Sequence, residues 1–308
     1  MNDREPAVLR DQPVVDFSHL TSPGQLTAIG GIEDVALVIV PQSLAAAYLT
    51  IPASDVAATV YVPEGANVRT HTGTLTVPGD GVGTSDDVLI VIGMLLITSP
   101  ITGPLPRQIH VIGLVLAPTG SETALGPVLA GGTGSVSYYR YAEGQDIKVL
   151  SGEVKVSGAM LENRAGQPGD ILIAAGEIVV TGPASEVGYG QVEVAGEVAA
   201  PEASREAIEP RLQVHGELAW YPGDNPRVFH GKTSLGASFF RQLDEPAVLV
   251  SFGKLAILPD VTESMLREKV RSFTLFGRTT APAELVGVVQ FLATDAFGPI
   301  EASDGQGS

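Results

Sequence analysis

The sequence predicts a mainly β protein, a right-handed parallel β-solenoid with turns of about twenty residues and some short helical connectors. Three observations predict it. A short apolar motif centred on glycine recurs along the chain, apolar residues alternate around each of those glycines, and the motifs are separated by connectors of near-constant length.

The motif reads His-Thr-Gly73-Thr-Leu-Thr-Val-Pro, Val-Ile-Gly93-Met-Leu-Leu-Ile and Val-Ile-Gly113-Leu-Val-Leu-Ala-Pro. It returns as Leu-Ser-Gly152-Glu-Val-Lys-Val, Ala-Ala-Gly176-Glu-Ile-Val-Val, Val-Ala-Gly196-Glu-Val-Ala-Ala-Pro and Val-His-Gly216-Glu-Leu-Ala-Trp, and then around Gly253 and Gly277. The interval is twenty residues from Gly73 to Gly93 to Gly113, and again from Gly176 to Gly196 to Gly216. The remaining gaps of 39, 24, 37 and 24 residues place two more turns near Gly134 and Gly231.

Around each glycine the positions two and four residues away are mostly apolar, as with Ile109, Val111, Val115 and Ala117 about Gly113. That is the period of a strand with one face inward, and the glycine belongs to the inward set. A glycine inside a strand weakens it, so a recurrent one needs a cause: a bend of the chain or a close approach by another backbone.

Some connectors have helical character. Asp260 or Thr262 can cap a helix running toward Val270, Pro282 suits a first helical turn before Leu292, and Pro201–Glu209 is a third candidate. Strand, crossover and strand at constant spacing favour parallel pairing. Val88–Leu129 and Val248–Leu292 repeat the same order of elements. The alternative is an αβ solenoid of leucine-rich-repeat dimensions, although the asparagine column of that repeat is missing. The expected layout is a polar leader (1–31), one solenoid domain (32–300) and a flexible tail (301–308). Within the domain, 32–72 form a cap or first turns and 73–300 the regular turns.

Composition narrows the function. Eighteen Lys and Arg against 35 Asp and Glu give a formal charge of −17, which repels nucleic acid and anionic lipid. With no cysteine there are no disulfides or thiolate sites. The longest apolar run, Val88–Thr98, has the length of a buried strand, whereas a membrane helix needs about 20 residues. The first residues have no secretory pattern, so the expectation is a cytoplasmic protein without membrane insertion.

No phosphate loop, complete dinucleotide fingerprint, nucleophile elbow or His-Glu-x-x-His motif occurs, so no catalytic, cofactor or metal residues are assigned. His215 and His230 each precede a glycine and could stack on successive turns, but a third metal ligand is not evident.

The residues following the glycines change character twice along the chain: Met94 and Leu114, then Glu153, Glu177, Glu197 and Glu217, then Lys254 and Arg278. Adjacent rungs would bring the glutamates about 5 Å apart, which calls for a cation, a basic partner or a solvated face. Ile92, Met94, Leu96, Ile112, Leu114 and Leu116 make their strands apolar on both faces. Either the segment 32–62 or a connector covers them, or they form a self-association or partner surface. The cluster Tyr138, Tyr139, Arg140 and Tyr141 is the candidate binding patch, against the reading of a strand using tyrosine for cross-strand packing.

In rung style between Gly73 and Gly298, the short Gly, Val, Ile and Ala strands of a cysteine-free chain resemble the bactofilins, bacterial polymer-forming β-helix proteins. The turns here are longer, with helical connectors and a mid-strand glycine. The resemblance implies a scaffold that self-associates and has no active site. The functional expectation is thus a non-enzymatic structural or protein-interaction protein, its partner itself or another protein. The alternative is a carbohydrate-active or ligand-binding β-helix protein.

Overall fold

The structure is a computed structural model that describes residues 7–130 and 134–303. Residues 131–133 of the glycine-rich loop and 304–308 of the expected tail lie outside the described residues. The chain divides into two compact units, Met1–Tyr141 and Ala142–Ser308.

In the first unit, β1 (Ala7–Asp16), β2 (Ile29–Pro41) and β3 (Ala53–Val62) form one parallel sheet, with the short helix α1 (Ala45–Tyr48) in the crossover before β3. Residues 7–31, expected as a leader, therefore carry a strand and the start of a second. β4 (Asn67–Val77), β5 (Asp87–Ile97), β6 (Gln108–Pro118) and β7 (Ser135–Tyr139) form a second parallel sheet, with α2 (Glu122–Leu125) before β7.

The second unit repeats the plan. Its third sheet contains β8 (Ile147–Ser157), β9 (Ile171–Thr181), β10 (Gln191–Pro201) and β11 (Leu212–Tyr221), joined through α3 (Gly158–Leu161) and α4 (Arg205–Ile208). In the fourth sheet β12 (Arg227–Phe229) and β13 (Lys232–Leu235) lie along β14 (Ala247–Ile257), which pairs with β15 (Val270–Ala281). β16 (Ala293–Ala296) and β17 (Ile300–Ala302) complete the far edge, and α5 (Ala237–Arg241), α6 (Glu263–Lys269) and α7 (Val286–Leu292) fill the crossovers. Thr262 is the cap of α6, its hydroxyl accepting from the Met265 amide, while Asp260 accepts from the Ala237 amide instead. Among the described residues no helix is long and apolar enough to cross a membrane.

The rungs stack glycine on glycine. Gly93 pairs with Gly73 and Gly113, Gly176 with Gly152 and Gly196, and Gly253 with Gly277. The two hidden turns are present: a Cβ on Gly134 would meet the Gly113 carbonyl, and one on Gly253 would meet that of Gly231. The anticipated close approach operates, together with a positive φ at most of these glycines. Gly93, for instance, has φ +126, and a Cβ there would sit 2.4 Å from the Gly73 carbonyl oxygen. In the first sheet Asp11, Asp34 and Asp55 take positive φ, a region that aspartate tolerates better than most residues.

The ladder is not continuous from 73 to 300. It breaks after β7 and after β11, leaving separate sheets. In each sheet one face buries apolar residues against its own connectors: Leu89, Val91, Leu95 and Ile97 of β5 meet Leu125 of α2, and Leu249, Leu255 and Ile257 of β14 meet Phe240, Leu266 and Val289 of the helices. The opposite faces of two sheets meet within each unit. Leu37, Ile39, Val60 and Val62 pack on Val88 and Ile90, and Val179, Ala199, Ala219 and Tyr221 pack on Val248, Val250, Phe252 and Phe276. This second layer explains why the strands of the chain are so apolar: each inner strand is buried on both sides.

The candidate apolar interface lies in that layer. Ile92 and Ile112 pack against the cluster containing Leu37 and Ile39, Met94 is 5% exposed, and Leu96 and Leu116 are fully buried; Leu114 is half-buried. Ile92 and Ile112 are thus covered inside the unit by residues of the segment 32–62, because two stacked sheets remove their apolar faces from water together.

Candidate functional site

The tyrosine cluster does not form a surface patch. Tyr139 is fully buried at the end of β7, its hydroxyl donating to the Ile97 carbonyl at 2.7 Å; Tyr138 packs against the core of the second sheet, Tyr141 is half-buried, and Arg140 is exposed. Burial pushes the Tyr139 phenol above its ordinary value. Tyr221, the last residue of β11, does the same in the second unit, donating to the Val180 carbonyl. Each hydroxyl ties the end of the last rung to a rung two strands back. Replacing Tyr139 by Phe leaves the Ile97 carbonyl without this donor, and a loss of about 1–2 kcal/mol is expected in a urea melt.

The column that follows the glycines changes character where the sheets change. Met94 and Leu114 belong to the second sheet, the glutamates to the third, and Lys254 and Arg278 to the fourth, preceded by Lys232. In the third sheet Glu153, Glu177, Glu197 and Glu217 stand in register on β8 to β11, neighbours being separated by the rung spacing of about 4.8 Å. They lie on the face turned toward the fourth sheet, so they are not uniformly solvated: Glu153 is exposed, whereas Glu177, Glu197 and Glu217 are half-buried. Burial, then the adjacent Glu217 and Glu177, push the Glu197 carboxyl above the usual range. Among the described residues neither Glu197 nor Glu217 has an ion-pair partner.

His230 enters this column from the other sheet. It lies in the break between β12 and β13, and its Nδ1 is 2.6 Å from a Glu177 carboxylate oxygen and 4.0 Å from one of Glu153. Its ring stacks on Phe252 at 5.3 Å, Phe252 on Phe276 at 4.7 Å, and Phe276 on Phe297 at 5.0 Å, all nearly parallel. These four rings occupy the position just before the glycine in successive rungs, so the glycine register aligns them. The stack holds the imidazole plane while leaving Nδ1 turned to the carboxylates.

His215 does not stack on His230. It sits on β11 with Nε2 at 2.7 Å from Glu193, whose side chain is fully buried and also accepts from the Gln191 amide. Glu193 was not legible as a special residue, although Val192-Glu193-Val194 does place a charge within an apolar run. In a single sheet its face would be wet. No protein-family model matches the chain, and no curated protein or solved structure matches it.

Proposed function

We propose that the chain is a non-enzymatic cytoplasmic scaffold, its sheets being runs of right-handed β-solenoid turns of about twenty residues, and that copies associate through open sheet edges. The bactofilin resemblance implies self-association; the use of sheet edges for it rests on the geometry below. One observation carries the reading. A Cβ on each later glycine of the second sheet would lie 2.0–2.4 Å from the carbonyl oxygen of the preceding rung, but one on Gly73, in the first rung, would have nothing within 4 Å. The edge at β4 thus keeps a free seat of the kind that every other glycine in that sheet fills.

That edge is also weakly defended. β4 runs for 11 residues without proline, is rich in exposed threonine, and has Arg69 as its one Lys, Arg, Asp or Glu residue. Natural edges are usually shortened, charged or covered, because an open ladder pairs with any suitable strand. The occupant is a terminal rung of a second copy, giving a head-to-tail contact that can propagate. Light scattering and negative-stain microscopy test this with the full chain and with Thr70→Lys/Thr72→Lys, which adds two charges on the edge. The expected result is a concentration-dependent oligomer or filament in the wild type that the variant dissolves while keeping its melting temperature. A wild type that stays monomeric at every concentration overturns the proposal, as does an assembly that the variant leaves intact.

A further inference from the structure

The geometry points to a binding site for a divalent transition-metal ion of the zinc class at Glu153, Glu177 and His230. The three side chains come from β8, β9 and the β12–β13 break, so the site joins the third and fourth sheets. Their ligand atoms all lie within 4.8 Å of one another. Zinc bonds of about 2.0–2.2 Å to nitrogen and oxygen require ligand atoms roughly 3.4 Å apart, which small side-chain rotations here would reach.

The donor set selects the ion class. One imidazole with two carboxylates suits zinc and its neighbours, whereas magnesium and calcium take oxygen ligands. The imidazole is presented rather than free, since stacking on Phe252 sets its plane. Charge points the same way. Four carboxylates stand in one column, and among the described residues His230 is the one Lys, Arg or His side chain within 4.0 Å of any of them. A dication at the Glu153 end relieves that repulsion, with Glu197 on the next rung beyond Glu177.

Isothermal titration of the full chain with zinc chloride, alongside thermal melts, tests the site. The expected result is one ion per chain, a melting temperature that rises with zinc, and no comparable effect of magnesium at the same concentration. His230→Gln and Glu153→Gln should each weaken binding by roughly tenfold or more, because each removes one of three ligands. Glu153 is exposed, with 64% of its side-chain surface accessible, so its variant keeps the fold even if the His230 variant does not. Cobalt substituted for zinc should give visible absorption that Glu153→Gln alters. Absence of a one-to-one site overturns the inference. So does equal binding by Glu153→Gln, which would mean an adventitious ion only.

Discussion

Gly196→Ala is expected to destabilise the second unit strongly, by more than about 4 kcal/mol in a urea melt. Gly196 has φ +134, and an added Cβ would lie 2.2 Å from the Gly176 carbonyl oxygen and 3.0 Å from its carbon. Two separate costs follow from one methyl group. The dihedral is strained for an L-residue, by about 1–3 kcal/mol. The clash can be relieved only by spreading two rungs whose amides and carbonyls are paired along their length. The sum is expected to exceed about 4 kcal/mol, a large part of the 5–15 kcal/mol that holds a typical domain. Two other glycines calibrate the effect in the same urea melts. At Gly65, with φ +70 and nothing within 4 Å, only the dihedral term of about 1–2 kcal/mol should appear. At Gly287, exposed within α7 and free of neighbours, alanine should stabilise by up to about 1 kcal/mol. Equal losses at Gly196 and Gly65 would show that rung spacing is not set by the glycine contact.

His215→Ala is expected to destabilise the second unit by about 3 kcal/mol, well beyond the loss of packing from one half-buried ring. The reason is Glu193. Its side chain has no exposed surface, and His215 and the Gln191 amide are its hydrogen-bond partners among the described residues. Removing the imidazole leaves a buried carboxyl oxygen without this hydrogen bond, and an unsatisfied buried polar group costs about 1–3 kcal/mol, more if it is charged. The double variant His215→Ala/Glu193→Gln should recover part of that loss, because a neutral amide is far cheaper to keep in the layer than a charge. A double variant no more stable than the single one would assign the effect to ring packing alone.

The glycine motif, its spacing and the alternation around it were sufficient to identify the mainly β character, the parallel pairing and even the two hidden rungs at Gly134 and Gly231. These are local properties: a strand's period and a glycine's need for a close neighbour are written within a few residues. The shift from Met94 and Leu114 to the glutamates and then to Lys254 and Arg278 was also plain in the sequence. Its meaning was not. That pattern marks the breaks between sheets, and a break depends on which strands meet after the chain has folded.

The site shows the same division. The sequence by itself placed four glutamates in one column; that His230 shares another with Phe252, Phe276 and Phe297 was not anticipated, His215 being its expected neighbour. Only the tertiary structure decided that these two columns face each other, that Glu193 is buried beside His215, and that Leu37 and Ile39 cover Ile92 and Ile112. The physical reason is that alternation reports two faces of a strand but cannot say what lies against the second one. Here a second sheet does, and it turns surfaces that a single ladder would leave wet into buried layers and into the rim where His230 meets Glu177.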